Sequence, residues 1–434
     1  MTELSLPANW QILPLESLME AIIDYRGKSP RKTAYGIPLI TAKIVKNGRI
    51  LPPEEFIAPE DYDEWMRRGL PEAGDVVITT EAPLGEVAQL DGNKVALAQR
   101  LIALRGKANV LDNTFLKFVL QAKSVQDALK ARSTGTTVSG IRQSELRLVQ
   151  IPVPPFTEQR WIAEVLGFLD DKIELNRKMN ETLEAMARAL FKSWFVDFDP
   201  VRAKAEGRDT GLPAHIAALF PDSFEDSELG EIPEGWRAGS LANFSSLNPE
   251  NWSKTTRPDL IQYVDLSNTK WGRIEVITPY EATSAPSRAQ RVLRSGDTIF
   301  GTVRPGNGSF ALINREGLTG STGFAVLRPL STEYVEFVYL AATMRVNIDA
   351  LAHLADGGAY PAVRPEAVVS AQTVVPPREV VFEFSRQTRP LLQRIDANER
   401  ENVLLVQLRD TLLPDLISGE LRLNNGAPFV EVNA

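Results

Sequence analysis

Few segments of this chain have the residue types that covalent chemistry needs. Val153-Pro154-Pro155-Phe156 is its nearest approach to the Asn/Asp-Pro-Pro-aromatic motif with which a DNA amino-methyltransferase grips its target amine. The carboxamide or carboxylate that would hold the amine is missing, so a Pro-Pro stop ahead of a helix is the better reading. FGTVRPGNG, residues 300–308, is glycine-rich but fits neither a dinucleotide fingerprint nor a P-loop, and a turn accounts for it. No Gly-Lys-Ser/Thr exists to cradle ATP. Asp170-Asp171-Lys172 evokes a nuclease carboxylate cluster, yet it falls on the polar side of a long helix, where solvation is the default. With only His215 and His353 and no cysteine, a Ser-His triad, a histidine-based metal site, a thiolate site or a disulfide has little to build on. The chain reads as one without covalent chemistry of its own, and so without a catalytic residue, a metal or a cofactor.

Its cations suit a different task. Arg and Lys neutralise phosphates, and Arg, Lys, Asn and Gln reach base edges. RGKSPRK, residues 26–32, sets Arg26, Lys28, Arg31 and Lys32 in one turn-like loop, with Lys43, Lys46 and Arg49 just beyond. Lys254, Arg257, Lys270 and Arg273 stand in the related place further on, followed by Arg288, Arg291 and Arg294, and the loop 304–308 adds Arg304 and Asn307. The loops 81–85, 304–308 and 133–139 carry glycine and hydroxyl residues suited to close backbone approach. Any one such cation is ordinarily a solvated surface charge. A clustered set that occurs twice points to contact with double-stranded DNA.

Residues 157–195 must position whatever these groups do. Ile162, Leu166, Leu169, Ile173, Asn176, Asn180, Leu183, Ala187, Leu190 and Trp194 alternate at spacings of four and three, a heptad seam that keeps one helix face against a partner helix. At 1.5 Å per residue the seam spans roughly 48 Å. Its two Asn cost stability, and their usual use is to fix register and partner. Adding 222 to each number lands on Phe384, Thr388, Leu391, Ile395, Asn398, Asn402, Leu405, Arg409, Leu412 and Leu416, so both Asn recur. The simplest arrangement is an antiparallel pair in which Asn176 faces Asn402, Asn180 faces Asn398 and Ile173 faces Leu405. Pro390 within the second helix either kinks it or marks its start.

The stretches before the two helices repeat as well. Trp10 matches Trp236, Asn47-Gly48-Arg49-Ile50 matches Trp271-Gly272-Arg273-Ile274, and Gly74-Asp75, Thr80 and Pro83 match Gly296-Asp297, Thr302 and Pro305. Runs at 75–80, 95–104, 297–302, 310–313 and 323–327 read as strands; 115–131 and 333–352 have helical spacing. The expected fold class is α+β, with two pseudo-symmetric α/β domains joined by two long antiparallel helices. The expected boundaries are 1–156 and 232–377 for the domains, 157–198 and 378–423 for the helices, 199–231 for a connector with a short helix near 213–220, and 424–434 for a tail. The short stretch after Ser418 is expected to be loosely ordered.

The 434 residues suggest two to four domains. Net charge is −8 overall, but residues 1–150 hold 19 basic and 18 acidic side chains and 236–377 hold 13 and 12, whereas 151–235 hold 9 and 17. The acidity sits in the helical and linking parts, and two nearly neutral blocks remain that can focus a basic cleft. Zero cysteines fit a reducing cytoplasm, and no leader or 18-residue apolar stretch implies secretion or a membrane.

Three segments together are specific: IPVPPFTEQRWIAEVLGFLDDKIELNRKMNETLEAMARALFKSWFVDFDPVRAK from Ile151, LFPDSFEDSELGEIPEGW from Leu219, and LLPDLISGEL from Leu412. Along nearly its whole length the chain resembles the DNA specificity subunit of type I restriction–modification systems. The resemblance implies two target recognition domains, each reading one half of a split DNA sequence, with the conserved regions corresponding to the long helices. It also implies assembly with two modification (methyltransferase) subunits and with restriction/motor subunits, the partners that would carry S-adenosylmethionine, ATP and Mg. Pro390 and Arg409 depart from the first helix, where Phe168 and Ala187 stand. The competing readings are a two-headed adaptor for protein assembly without DNA readout, and a self-sufficient methyltransferase.

Overall fold

The computed structural model describes residues 6–25, 29–135, 138–253, 255–358 and 360–422. Contacts divide the chain into two units, Met1–Leu175 with Glu401–Ala434, and Asn176–Arg400. Each unit therefore contains one duplicated block and one half of each long helix.

In the first unit the strand Gln11–Pro14 pairs antiparallel with Gln150–Val153, which brings the two ends of the block together. Between them runs a four-stranded antiparallel sheet in the order Met19–Asp24, Leu101–Gly106, Val76–Thr80, Leu84–Gln89. Successive strand residues point to opposite faces, so an unbroken apolar run means that both faces are covered. Val76 and Ile78 join the core with Phe115 and Phe118 of the covering helix, while Val77 joins a second core with Ile23, Leu39 and Ala103. That second core is closed by a smaller sheet in which Ala96–Leu97 lies parallel to Ile37–Ile40.

The second unit repeats this plan. Arg237–Ser240 pairs with Gln372–Val375, and the sheet runs Ser245–Leu247, Phe324–Pro329, Thr298–Gly301, Phe310–Leu312. Ile299 and Phe300 again enter different cores, and Leu318–Ser321 lies parallel to Leu260–Val264. The run 95–104 forms two strands instead of one, Ala96–Leu97 and Leu101–Gly106, one in each sheet. Likewise each covering segment, expected as one helix, is two: Asn113–Gln121 and Lys123–Ala131, then Val335–Ala342 and Arg345–Leu354. The break is one extended residue, Ala122 (φ −60°, ψ 138°) or Met344 (φ −60°, ψ 139°), 222 positions apart. A break leaves helix carbonyls without donors, and a side-chain amide six residues on supplies one in each unit: Gln126 donates to the Leu120 carbonyl and Asn347 to that of Ala341, both at 2.7 Å.

The long helices span Phe156–Phe195 and Arg378–Ser418. Their antiparallel course is visible within each unit. In the first, Asp170 meets Arg409 at 2.9 Å; in the second, Trp194 packs on Phe384 with ring centroids 5.9 Å apart. The register matches the seam at its polar layer, where Asn398 Nδ2 donates to Asn180 Oδ1 at 2.7 Å and Asn180 Nδ2 donates to Glu399 at 2.9 Å. Ile173, Asn176 and Asn402 are buried, while Leu183, Ile395 and Leu405 are half-buried. Pro390 lies inside the second helix on an exposed position, where water can hydrate the carbonyl it leaves without a donor.

The connector is an ordered part of the second unit. Its helices Asp199–Ala205 and Ala214–Ala217 and the hairpin Phe224–Ser227/Gly230–Pro233 carry Phe198, Ile216 and Phe220 into one aromatic core with Trp194, Phe195 and Trp236. Beyond Ser418 the chain does not fray at once: Gly419 abuts Pro7 and Trp10, and Arg422 reaches Glu158 and Asn9. The tail from residue 423 lies outside the described residues.

Asn180 and Asn398 are 2% and 1% exposed, so removing one partner strands the other in a dry seam. Asn398→Ala is expected to lower stability by about 1–3 kcal/mol. The double replacement of both residues by Leu removes the stranded group and should recover most of that loss. Denaturant midpoints of the single and double variants measure this; a double variant as weak as the single would show that packing, not pairing, dominates there.

Candidate nucleic-acid interface

The Gly-Asp dipeptides that recur in the sequence build matched supports beneath the loops of interest. Gly74 (φ 88°) and Gly296 (φ 91°) turn the chain through the left-handed region just before the central strands. Asp75 and Asp297, each 1% exposed at the side chain, receive two-pronged contacts from Arg105 and Arg328 on the neighbouring strand. The paired distances are 2.8 and 2.8 Å in the first unit and 2.9 and 2.9 Å in the second. Each Asp also accepts a backbone N–H three residues earlier in the chain, at 2.8 Å. These hydrogen bonds hold both guanidinium groups above their ordinary pKa, against the cost of burial. The strands so anchored, Val76–Thr80 and Thr298–Gly301, deliver the loops 81–85 and 304–308.

In the first unit these loops border a cleft of about 370 Å³ lined by Thr80, Glu81, Gln99, Arg100, Thr134 and Arg142 among others. Arg100 pairs with Glu81 at 2.7 Å, and Gln99 donates to Ser29 at 3.0 Å, which ties the cleft to the described part of the basic loop. In the second unit Arg304 lies over the Tyr360 ring at 5.0 Å, a cation–π contact on an exposed surface.

The sequence-derived cations are thus distributed over distinct places. Arg26, Lys28 and Lys254 lie outside the described residues. Arg31, Lys43, Lys46, Lys270, Arg304 and Asn307 are exposed. Lys32 sits on an edge strand and pairs with Glu55 at 2.8 Å. Arg257 is half-buried and donates to the Ala289 carbonyl at 3.2 Å. Arg49 and Arg273 leave matched hairpins, Val45–Lys46/Arg49–Ile50 and Thr269–Lys270/Arg273–Ile274, whose tips Asn47-Gly48 and Trp271-Gly272 all have positive φ, as a tight hairpin turn requires. Both arginines turn toward the long helices, Arg49 to Glu174 at 3.7 Å and Arg273 to Glu399 at 3.4 Å. Glu399 is also the acceptor for Asn180, so the hairpin of the second unit is wired to the seam. Arg294 binds Glu250 and, with Arg328, holds that carboxyl below its usual range.

Sequence reasoning missed Gln99, Arg100 and Tyr360. The signal that finds them is the internal repeat: aligned at its offset of 222 or 223, these loop positions differ where the framework is the same. Among the described residues no group of His, Asp or Glu is placed to hold a metal ion, and no helix is long and apolar enough to cross a membrane.

This scaffold, two α+β units each crossed by halves of one antiparallel helix pair, has counterparts among known proteins. Residues 7–185 match the sequence profile of the type I restriction modification DNA specificity domain. The MjaIX specificity subunit of a type I restriction enzyme of Methanocaldococcus jannaschii is 26% identical over 425 residues, covering 96% of this chain and 94% of that one. The HindI specificity subunit of Haemophilus influenzae is 24% identical over 76% of this chain and 82% of its own length. The crystal structure of a type I restriction–modification S subunit from M. genitalium has the same fold, with a TM-score of 0.58 at 17% identity over 96% of this chain and 98% of that one. The chain is thus similar over nearly its whole length to type I restriction–modification specificity subunits, and residues 7–185 carry their DNA specificity domain.

The supports make a direct test possible. Arg328→Met leaves the Asp297 carboxylate buried without its counter-charge and is expected to cost about 3–5 kcal/mol. Asp297→Asn combined with Arg328→Met should cost much less, because no buried charge remains. Thermal unfolding of the two variants side by side decides it.

Proposed function

We propose that this subunit reads a bipartite double-stranded DNA target, one half-site per unit, and that its helix pair holds the spacing between them. The observation that carries the reading is the duplication itself: one scaffold occurs twice, with the same Asp–Arg supports, the same broken helices and the same hairpins, but with different side chains on its loops. Two copies with unlike loops suit two unlike half-sites. A seam pinned by Asn180 and Asn398 suits a strut of set length.

The helices would also dock the modification subunits. In the first unit Phe168 is 69% exposed and Leu175 55%, seven residues apart on one helix face, and Leu404 and Leu408 are exposed on the partner helix. Trp161 and Phe168 border a further cleft of about 600 Å³. Apolar side chains in such a row are costly in water and fit a protein partner. The chain itself would carry out no bond-breaking step; S-adenosylmethionine, ATP and Mg would belong to the methyltransferase and motor-nuclease partners in the cytoplasm.

The test uses the complex with its modification subunits and a pool of duplexes randomised in sequence and spacing. Two short motifs at one separation should be enriched, with affinity falling steeply as salt rises. Insertion of four residues, about one helical turn, beside both Asn180 and Asn398 should lengthen the preferred separation and leave both motifs intact. Unchanged separation sinks the strut; enrichment of no motif sinks DNA readout and leaves the assembly adaptor. Phe168→Glu is expected to abolish co-purification with the modification subunits while the melting temperature stays within a few degrees of the parent.

A further inference from the structure

The two units provide an internal comparison: where one scaffold occurs twice, positions that coincide are framework, and exposed positions that differ carry the difference in function. At the base of the loops that follow the central strands the framework is the same to the hydrogen bond. Past the prolines the loops diverge, Leu84 re-entering the sheet at once in the first unit and a 3-10 turn, Pro305–Asn307, preceding Phe310 in the second. Thr80 N–H donates to the Arg100 carbonyl at 2.9 Å, and Thr302 N–H to that of Gly323 at 2.8 Å. The Thr80 carbonyl accepts from Ile141 and the Thr302 carbonyl from Val363, both at 2.9 Å. A second loop closes on itself through paired backbone bonds, Thr134 with Gly140 and Asp356 with Ala362. Ala82 and Arg304 both have φ of 49°, a left-handed conformation that L residues adopt only at a cost, and each precedes a proline.

On this constant frame the side chains change in kind. Glu81 and Arg100, a charged pair, stand where the second unit has Val303 and Gly323. Ala82 stands where it has Arg304, Thr134 where it has Asp356, and Val138 where it has Tyr360. Arg304 and Tyr360 are exposed together, and the tyrosine is 72% exposed. A residue that only stabilised the loop would be expected to match in both copies, as Asp75 and Asp297 do.

We propose that these two loops form the base-reading element of each unit, with Glu81, Gln99 and Arg100 reading one half-site and Arg304 with Tyr360 reading the other. The inference rests on the DNA readout proposed above and deepens it by naming the readers. The chemistry fits major-groove edges: an arginine fork spans guanine O6 and N7, glutamine pairs with adenine N6 and N7, and a carboxylate accepts from the cytosine amine. Arg304 suits the role because the left-handed backbone, the following Pro305 and the ring beneath its guanidinium restrict its freedom before DNA arrives. Arg49 and Arg273, which lean on the long helices, are positioning residues in this scheme.

Motif enrichment from randomised duplexes by the complex tests it, with Arg304→Lys and Arg304→Ala beside the parent. Arg304→Lys keeps the charge and loses the fork. Both variants should relax one base position of one motif by about tenfold to a hundredfold, with the other motif and the separation unchanged. Glu81→Gln with Arg100→Ala should alter the other motif alone. Arg304→Lys is the safeguard against misfolding, since a variant that melts with the parent and still loses one base position supports the assignment. Uniform weakening on all sequences, with the salt dependence reduced by about one ion, would make Arg304 a phosphate contact and overturn it, as would motifs that stay unchanged. A parent complex that enriches nothing would overturn the DNA reading itself and the reader assignment with it.

Discussion

The buried hydrogen bond between Asn180 and Asn398 is the constraint on which the architecture turns. An apolar seam alone tolerates sliding by a turn, because leucine meets leucine in several registers. A carboxamide in that seam has only one low-energy position, opposite another group that can satisfy it. The bond from Asn180 to Glu399 extends the layer to the outside of the pair, where Arg273 waits on its hairpin. A polar contact that costs stability in isolation thus ties helix register to a hairpin of the second unit.

The units solve their own folding problem in the same way twice. A thin four-stranded sheet cannot make a sufficient core by itself, so each copy covers one face with a broken helix and the other with a second small sheet. The halves of the long helices complete the first of these cores: Ile162, Leu166 and Leu416 in one unit, Phe191, Phe195 and Phe384 in the other. The aromatic cluster of Phe191, Phe195, Phe337 and Phe384, with centroids 5.0–5.9 Å apart, shows how closely helix and block are merged. Such rings contribute about 0.5–1.5 kcal/mol per pair beyond their burial. The helices are therefore part of the folded units and not a tether between them.

Polar side chains repair what this economy leaves exposed. Gln126 and Asn347 satisfy carbonyls at the helix breaks, and Arg105 and Arg328 neutralise carboxylates that water does not reach. These repairs are the same in both copies. The loops above them are not, so a constant base carries a variable rim in each copy.

The duplication, the heptad seam and the pairing of Asn180 with Asn398 were legible in the sequence, because a spacing of four and three and a repeated polar residue are local and periodic signals. So were the strands at 75–80 and 297–302, whose β-branched runs follow a Gly-Asp turn. The breaks at Ala122 and Met344 were not, since neither residue is a poor helix former and only the need to bend over a sheet selects an extended backbone there. Nor could the cations be sorted: Arg273 and Arg304 look alike in sequence, yet one turns to a helix carboxylate and the other lies exposed over a ring. Sequence alone determined that there are two heads and a paired seam, because periodicity is written in neighbouring residues. Which side chains each head presents was decided by the tertiary fold, because a loop residue's direction depends on strands and loops that lie far away along the chain.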